Sequence, residues 1–169
     1  MLADLIIKFA AVAFAVLALT AAANDMLTLR IPNALVVAMI GCFVLLVMGQ
    51  GPQWAHLSAL GLAAGVFALG AIAFSKGWAG GGDVKLLAVV SLWAGPALFA
   101  PMLIVVSLSG GLLALIALTP LWRAWQWVAV PLGGTAHLEN HSKTVIPYGA
   151  AIACGALFVA QRIAGLNIL

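Results

Sequence analysis

Ala97–Thr119 reads ALFAPMLIVVSLSGGLLALIALT, 23 residues without one ionisable side chain. A helix of that length crosses the hydrocarbon core of a bilayer, about 30 Å thick. Working outward, similar apolar runs cover Leu5–Ala23, Pro32–Gly49, Leu57–Phe74, Val84–Gly95 and Tyr148–Leu166. Short stretches rich in Pro, Gly and charge separate them. The 169 residues are 66% hydrophobic and only 7% charged, with a mean hydropathy of +1.23. Too few polar side chains exist to coat a water-soluble core, so lipid is the main solvent. The expected fold is all-α, a polytopic membrane protein of about six transmembrane helices forming a single domain over residues 1–169. The fourth run is short, about 12 residues or 18 Å of helix.

Basic residues set the expected orientation, because loops rich in Lys and Arg stay in the cytoplasm. Arg30, Lys76, Lys85, Arg123 and Lys143 follow the first, third and fifth runs, whereas the turns after the second and fourth carry none. Both termini are therefore expected outside. The first run is read as a helix and not a cleaved signal peptide, since its start carries Asp4 and a single Lys8. Trp122, Arg123, Trp125 and Trp127 open the polar interval Pro120–Pro147 and suit the headgroup level on the cytoplasmic side. Gly61 and Gly65 form a GxxxG expected to serve packing.

The net charge of +3 is scattered, which argues against a nucleic-acid partner. Cys42 and Cys154 lie singly in apolar runs and are read as free thiols. His137 and His141 flank Glu139 and Asn140, but the pattern is not HExxH and Gly133-Gly134 nearby favours a loop, so no metal is expected. No cofactor is implied.

Carboxylates at membrane depth are costly and mark function. Asp25 ends the first run and Asp83 opens the fourth, so the orientation places both at the cytoplasmic edge. Two carboxylates in contact share one proton. The ionised member can take a proton from attacking water while the protonated member donates to a scissile carbonyl. The bland alternative pairs Asp25 with Arg30 and makes Asp83 the cap of a helix beginning at Val84. Around Asp83 stands Gly80-Gly81-Gly82-Asp83-Val84-Lys85-Leu86-Leu87, where glycines permit close backbone approach to the carboxylate and to an extended substrate. No GxxxxGK[ST] phosphate loop is present.

Three blocks in order carry a resemblance: Asp25 through Arg30-Ile31-Pro32-Asn33, the Gly80–Leu87 stretch, and Ile146-Pro147-Tyr148-Gly149. Together they resemble the type IV prepilin peptidases, membrane aspartic peptidases of the Gly-x-Gly-Asp class. The resemblance implies Asp25 and Asp83 as catalytic residues, supported by Gly80, Gly82 and Lys85. Arg30, Pro32, Asn33, Pro147, Tyr148 and Gly149 would contact substrate or serve structure. Pro32 and Pro147 also suit helix initiation.

The chain looks most like the short form serving Flp (Tad) pili. It lacks the four-cysteine zinc region of the larger relatives, and with it the expectation of methyltransferase activity. The implied partners are membrane lipid and a pilin precursor with a basic leader and an apolar stem. Further copies of the chain or pilus assembly proteins are additional candidates. The implied location is the bacterial inner membrane. Two other functions fit membrane acids: a small proton-coupled transporter, for which Ile-Pro recurs at Ile31-Pro32 and Ile146-Pro147, and a non-catalytic assembly subunit.

Overall fold

The computed structural model describes residues 1–119 and 146–165. Five helices and no strand occur among them: α1 (Leu2–Thr28), α2 (Asn33–Gln50), α3 (Trp54–Ser75), α4 (Gly81–Ala117) and α5 (Tyr148–Ile163). The tryptophan cluster at 122–127 and the histidine pair lie outside the described residues. Helices are the natural answer to this composition, because a helix satisfies its backbone polar groups internally where no water can. α1 to α4 are each long and apolar enough to cross a membrane. α5 has 16 residues and is shorter.

The connections follow local backbone chemistry. α1 stops where Leu29 turns left-handed (φ 53°, ψ 31°) and its N–H donates to the Asp25 carbonyl at 2.9 Å. Pro32, in extended conformation, then leads into α2. Gln53 and His56 form a reciprocal capping box at the start of α3, satisfying two N–H groups that a helix N-terminus leaves without partners.

The expected boundary between the fourth and fifth apolar runs falls inside α4. Gly95 leaves helical geometry (φ 57°, ψ −179°), and Pro96 follows inside the same element. The two runs are thus arms of one kinked helix, residues 81–94 and 96–117. A positive φ is cheap only for glycine, and proline has no N–H for the preceding turn.

Close contacts fix the register. A methyl on Gly70 of α3 would lie 2.5 Å from Val84 Cγ1, and one on Gly95 would lie 3.8 Å from Ala59 Cβ. α3 therefore runs antiparallel to the first arm. A methyl on Gly155 would meet Val106 at 2.5 Å, and one on Gly110 would meet Ala151 and Tyr148 at 3.6 Å. The second arm is accordingly antiparallel to α5. Gly61 and Gly65 have no such neighbour within 4 Å among the described residues, so the expected GxxxG packing is absent there. The tight glycine of α3 is Gly70.

The first arm is the centre of the bundle. Leu86, Val90 and Ser91 are fully buried, and Trp93 is nearly so. The Trp93 ring stacks on Phe14 of α1 with centroids 4.1 Å apart, and its edge meets Phe43 of α2. The indole N–H donates to the Met39 carbonyl at 3.1 Å, which satisfies the one polar atom this ring takes into the core. Hydroxyls elsewhere bond back along their own helices: Thr28 Oγ1 to Asn24 O, Ser75 Oγ to Ile72 O and Ser91 Oγ to Leu87 O. The second arm instead exposes Ile104, Leu108, Leu112 and Leu115, a stripe at helical spacing suited to lipid.

Candidate active site

The end of α1, the link to α2 and the start of α4 enclose a cavity of about 510 Å³. Asp25, Arg30, Pro32, Asn33, Gly80, Gly82, Asp83 and Lys85 all line it. These residues come from the first two motif blocks, separated by some fifty positions in the chain. Helix packing brings them together. Leu29, Ile31 and Gly81 complete the lining; Leu29 was not singled out in the sequence because its role depends on its left-handed turn.

Asp25 is 5% exposed, on the last turn of α1. Its Oδ2 accepts a hydrogen bond of 2.7 Å from the Gly149 N–H, 124 positions away. Arg30 makes no ion pair with it; among the described residues the one salt bridge joins Lys8 to Asp4. Asp83 is half-buried and close enough to Asp25 for the two carboxylates to act on each other electrostatically. It does not cap a helix beginning at Val84. α4 begins three residues earlier, at Gly81; Gly80 is its N-cap, and no side-chain cap hydrogen bond forms. Its carboxylate accepts no hydrogen bond among the described residues and faces the cavity.

The glycines work differently from a loose loop. Gly81 and Gly82 lie within the first helical turn, where substituents would meet the Phe74 ring at 3.2 Å and Ile31 Cβ at 3.2 Å. A methyl on Gly80 would come within 2.8 Å of Asp83 Oδ2. Their smallness lets α4 start close beneath the α1–α2 link and leaves the Asp83 carboxylate room.

Lys85 is exposed, and its Nζ donates to Asn33 Oδ1 at 3.0 Å, tying α4 to α2 at the cavity rim. Arg30 is exposed at the same mouth. The third block sits apart. Pro147 is fully buried as the residue before α5, and Tyr148 is half-exposed against Gly110. Neither lines the cavity. Gly149 reaches Asp25 from behind.

Among the described residues no three His, Cys, Asp or Glu side chains converge as a metal would need. The cavity offers two interacting carboxylates, two flanking cations and space for water and an extended backbone. That donor set suits hydrolysis by proton transfer.

A family model described as the type IV leader peptidase family matches residues 12–115. No curated protein and no solved structure matches significantly. The matched span contains both aspartates and every residue that lines the cavity, and on that match the chain belongs to the type IV leader peptidase family.

Proposed function

We propose that this chain is a membrane aspartic endopeptidase that removes the N-terminal leader from Flp-type pilin precursors at the cytoplasmic edge of the bacterial inner membrane. The observation that carries this reading is the meeting of Asp25 and Asp83, from separate helices, in one cavity at one end of the bundle. A pair of carboxylates with one proton between them activates water for attack on the peptide carbonyl, protonates the carbonyl oxygen and then assists the leaving amine. Rate contributions of about 10²–10⁴-fold are typical of such groups.

The topology proposed for it has six crossings, with each arm of α4 spanning. The antiparallel contacts of the first arm with α3 and of the second with α5 support it, as does the basic character of Arg30, Lys76 and Lys85 at the cavity end. At 14 residues the first arm rises about 21 Å, shorter than a hydrocarbon core of about 30 Å. Water then reaches Asp83 without a deep channel, and a precursor's apolar stem stays in lipid while its basic leader stays in the cytoplasm.

Co-expression with a candidate precursor, with the mature N-terminus read by mass spectrometry, tests this reading. Cleavage at one site beside the apolar stem is expected, and no cleavage by Asp25→Asn or Asp83→Asn. Normal trimming by either variant would refute the mechanism.

A further inference from the structure

We infer that the backbone N–H of Gly149 is the positioning group of the aspartate pair: it holds Asp25 as the ionised member and leaves the shared proton on Asp83. The inference rests on Asp25 and Asp83 being the catalytic pair.

The geometry is specific. Asp25 Oδ2 accepts the Gly149 N–H at 2.7 Å, and that bond is stronger when the carboxylate is ionised than when it is protonated. The contact is buried on both sides, since Asp25 is 5% exposed and Gly149 is buried. Hydrogen bonds to a charged acceptor are the strong ones, more so away from water. Asp83 accepts no hydrogen bond among the described residues; its ionised form is favoured only by the diffuse field of the α4 N-terminus and of the exposed Arg30 and Lys85, which solvent screens.

Gly149 is suited to this in two respects. It is the second residue of α5, where a helix leaves N–H groups without internal partners, so the donation costs no helical bond. Its lack of a side chain is required, because a methyl there would lie 2.7 Å from Asp25 Oδ2 and 3.0 Å from both Cβ and Cγ. Any other residue would push the carboxylate away. Gly149 also lies beyond residue 115, where the family match ends.

The assignment sets the order of proton movements. Water attacks the carbonyl carbon and gives a proton to Asp25, whose Oδ1 is free of the Gly149 contact, while Asp83 gives its proton to the carbonyl oxygen. The resulting gem-diol breaks its C–N bond as Asp25 passes the proton to the leaving nitrogen. The carbonyl re-forms by returning one hydroxyl proton to Asp83, which restores the starting state.

Replacing residue 149 by glycolic acid in the full chain exchanges the N–H for an ester oxygen without adding an atom. With purified protein and a precursor peptide, kcat is expected to fall about tenfold or more while KM stays within about twofold. The acid limb of the pH–rate profile is expected to move toward neutral by about one unit. Gly149→Ala keeps the N–H but displaces Asp25, and is expected to lose about 100-fold in kcat with unchanged KM. Should Gly149→Ala fail to insert, the glycolate variant decides alone. Wild-type kcat and an unmoved acid limb in the glycolate variant, with Asp25→Asn and Asp83→Asn inactive, would overturn the inference and leave the aspartate pair standing. Active Asp25→Asn or Asp83→Asn would overturn both.

Discussion

The bundle has a hollow at each end, and the two are nearly the same size. The one beside Asp25 and Asp83 measures about 510 Å³; the other, between the far ends of α2 and α3, measures about 570 Å³. The second is walled by Ile40, Phe43, Val44, Val47, Leu57 and Leu60, with His56 at its rim already bonded to Gln50 and Gln53. Space alone therefore does not make a reaction site in this molecule. What differs is that one hollow holds two carboxylates that form no ion pair among the described residues, at the cost such groups carry near a membrane, whereas the other is lined almost wholly by apolar side chains.

The largest expected effect that tests this contrast is at the carboxylates. Asp25→Asn and Asp83→Asn should each lower precursor trimming by at least about 100-fold while the protein still inserts, measured by mass spectrometry of the product and by membrane fractionation. Next comes Gly80→Ala, whose methyl would press on Asp83 Oδ2. A loss of about tenfold to 100-fold in kcat is expected, with a melting temperature close to wild type, because misplaced catalytic groups cost rate before stability.

Gly70→Ala drives a methyl into Val84 one residue past Asp83. It should destabilise by about 1–3 kcal/mol, seen as a lower melting temperature in detergent, with activity falling in step. The smallest effect is expected in the other hollow. His56→Ala removes half of the α3 capping box and should cost about 1 kcal/mol of stability while leaving kcat unchanged. A large loss of kcat there would mean that the apolar end takes part in the reaction after all.

How legible each part was in the sequence follows from the range of the interaction involved. Apolar runs are local, so Leu5–Ala23, Pro32–Gly49 and Leu57–Phe74 foreshadowed α1, α2 and α3 closely, and Gly95-Pro96 marked the kink in α4. The fourth run, expected from Val84, starts earlier in the structure. Weak helix propensity favours a loop for Gly80–Gly82, but α4 begins at Gly81 because Phe74 and Ile31 press close enough to need glycine there. The GxxxG of Gly61 and Gly65 misled for the opposite reason, as small residues are frequent in this chain and only Gly70 has a close partner. The joining of Asp25 with Asp83 could be reasoned from orientation. The Gly149 contact could not, since a backbone N–H leaves no signature beyond a glycine two residues after a proline.

The back-bonded hydroxyls have a pharmacological consequence. Thr28, at the end of α1, and Ser75, at the end of α3, donate to carbonyls of their own helices and lie beside no imidazole among the described residues that could sharpen them into nucleophiles. Neither hydroxyl is primed for fluorophosphonates, β-lactones or other acylating warheads. On the proposed mechanism, a tight ligand for this cavity would instead mimic a hydrated carbonyl, offering hydroxyls to two acids and carrying its specificity in an apolar tail that the surrounding lipid accepts.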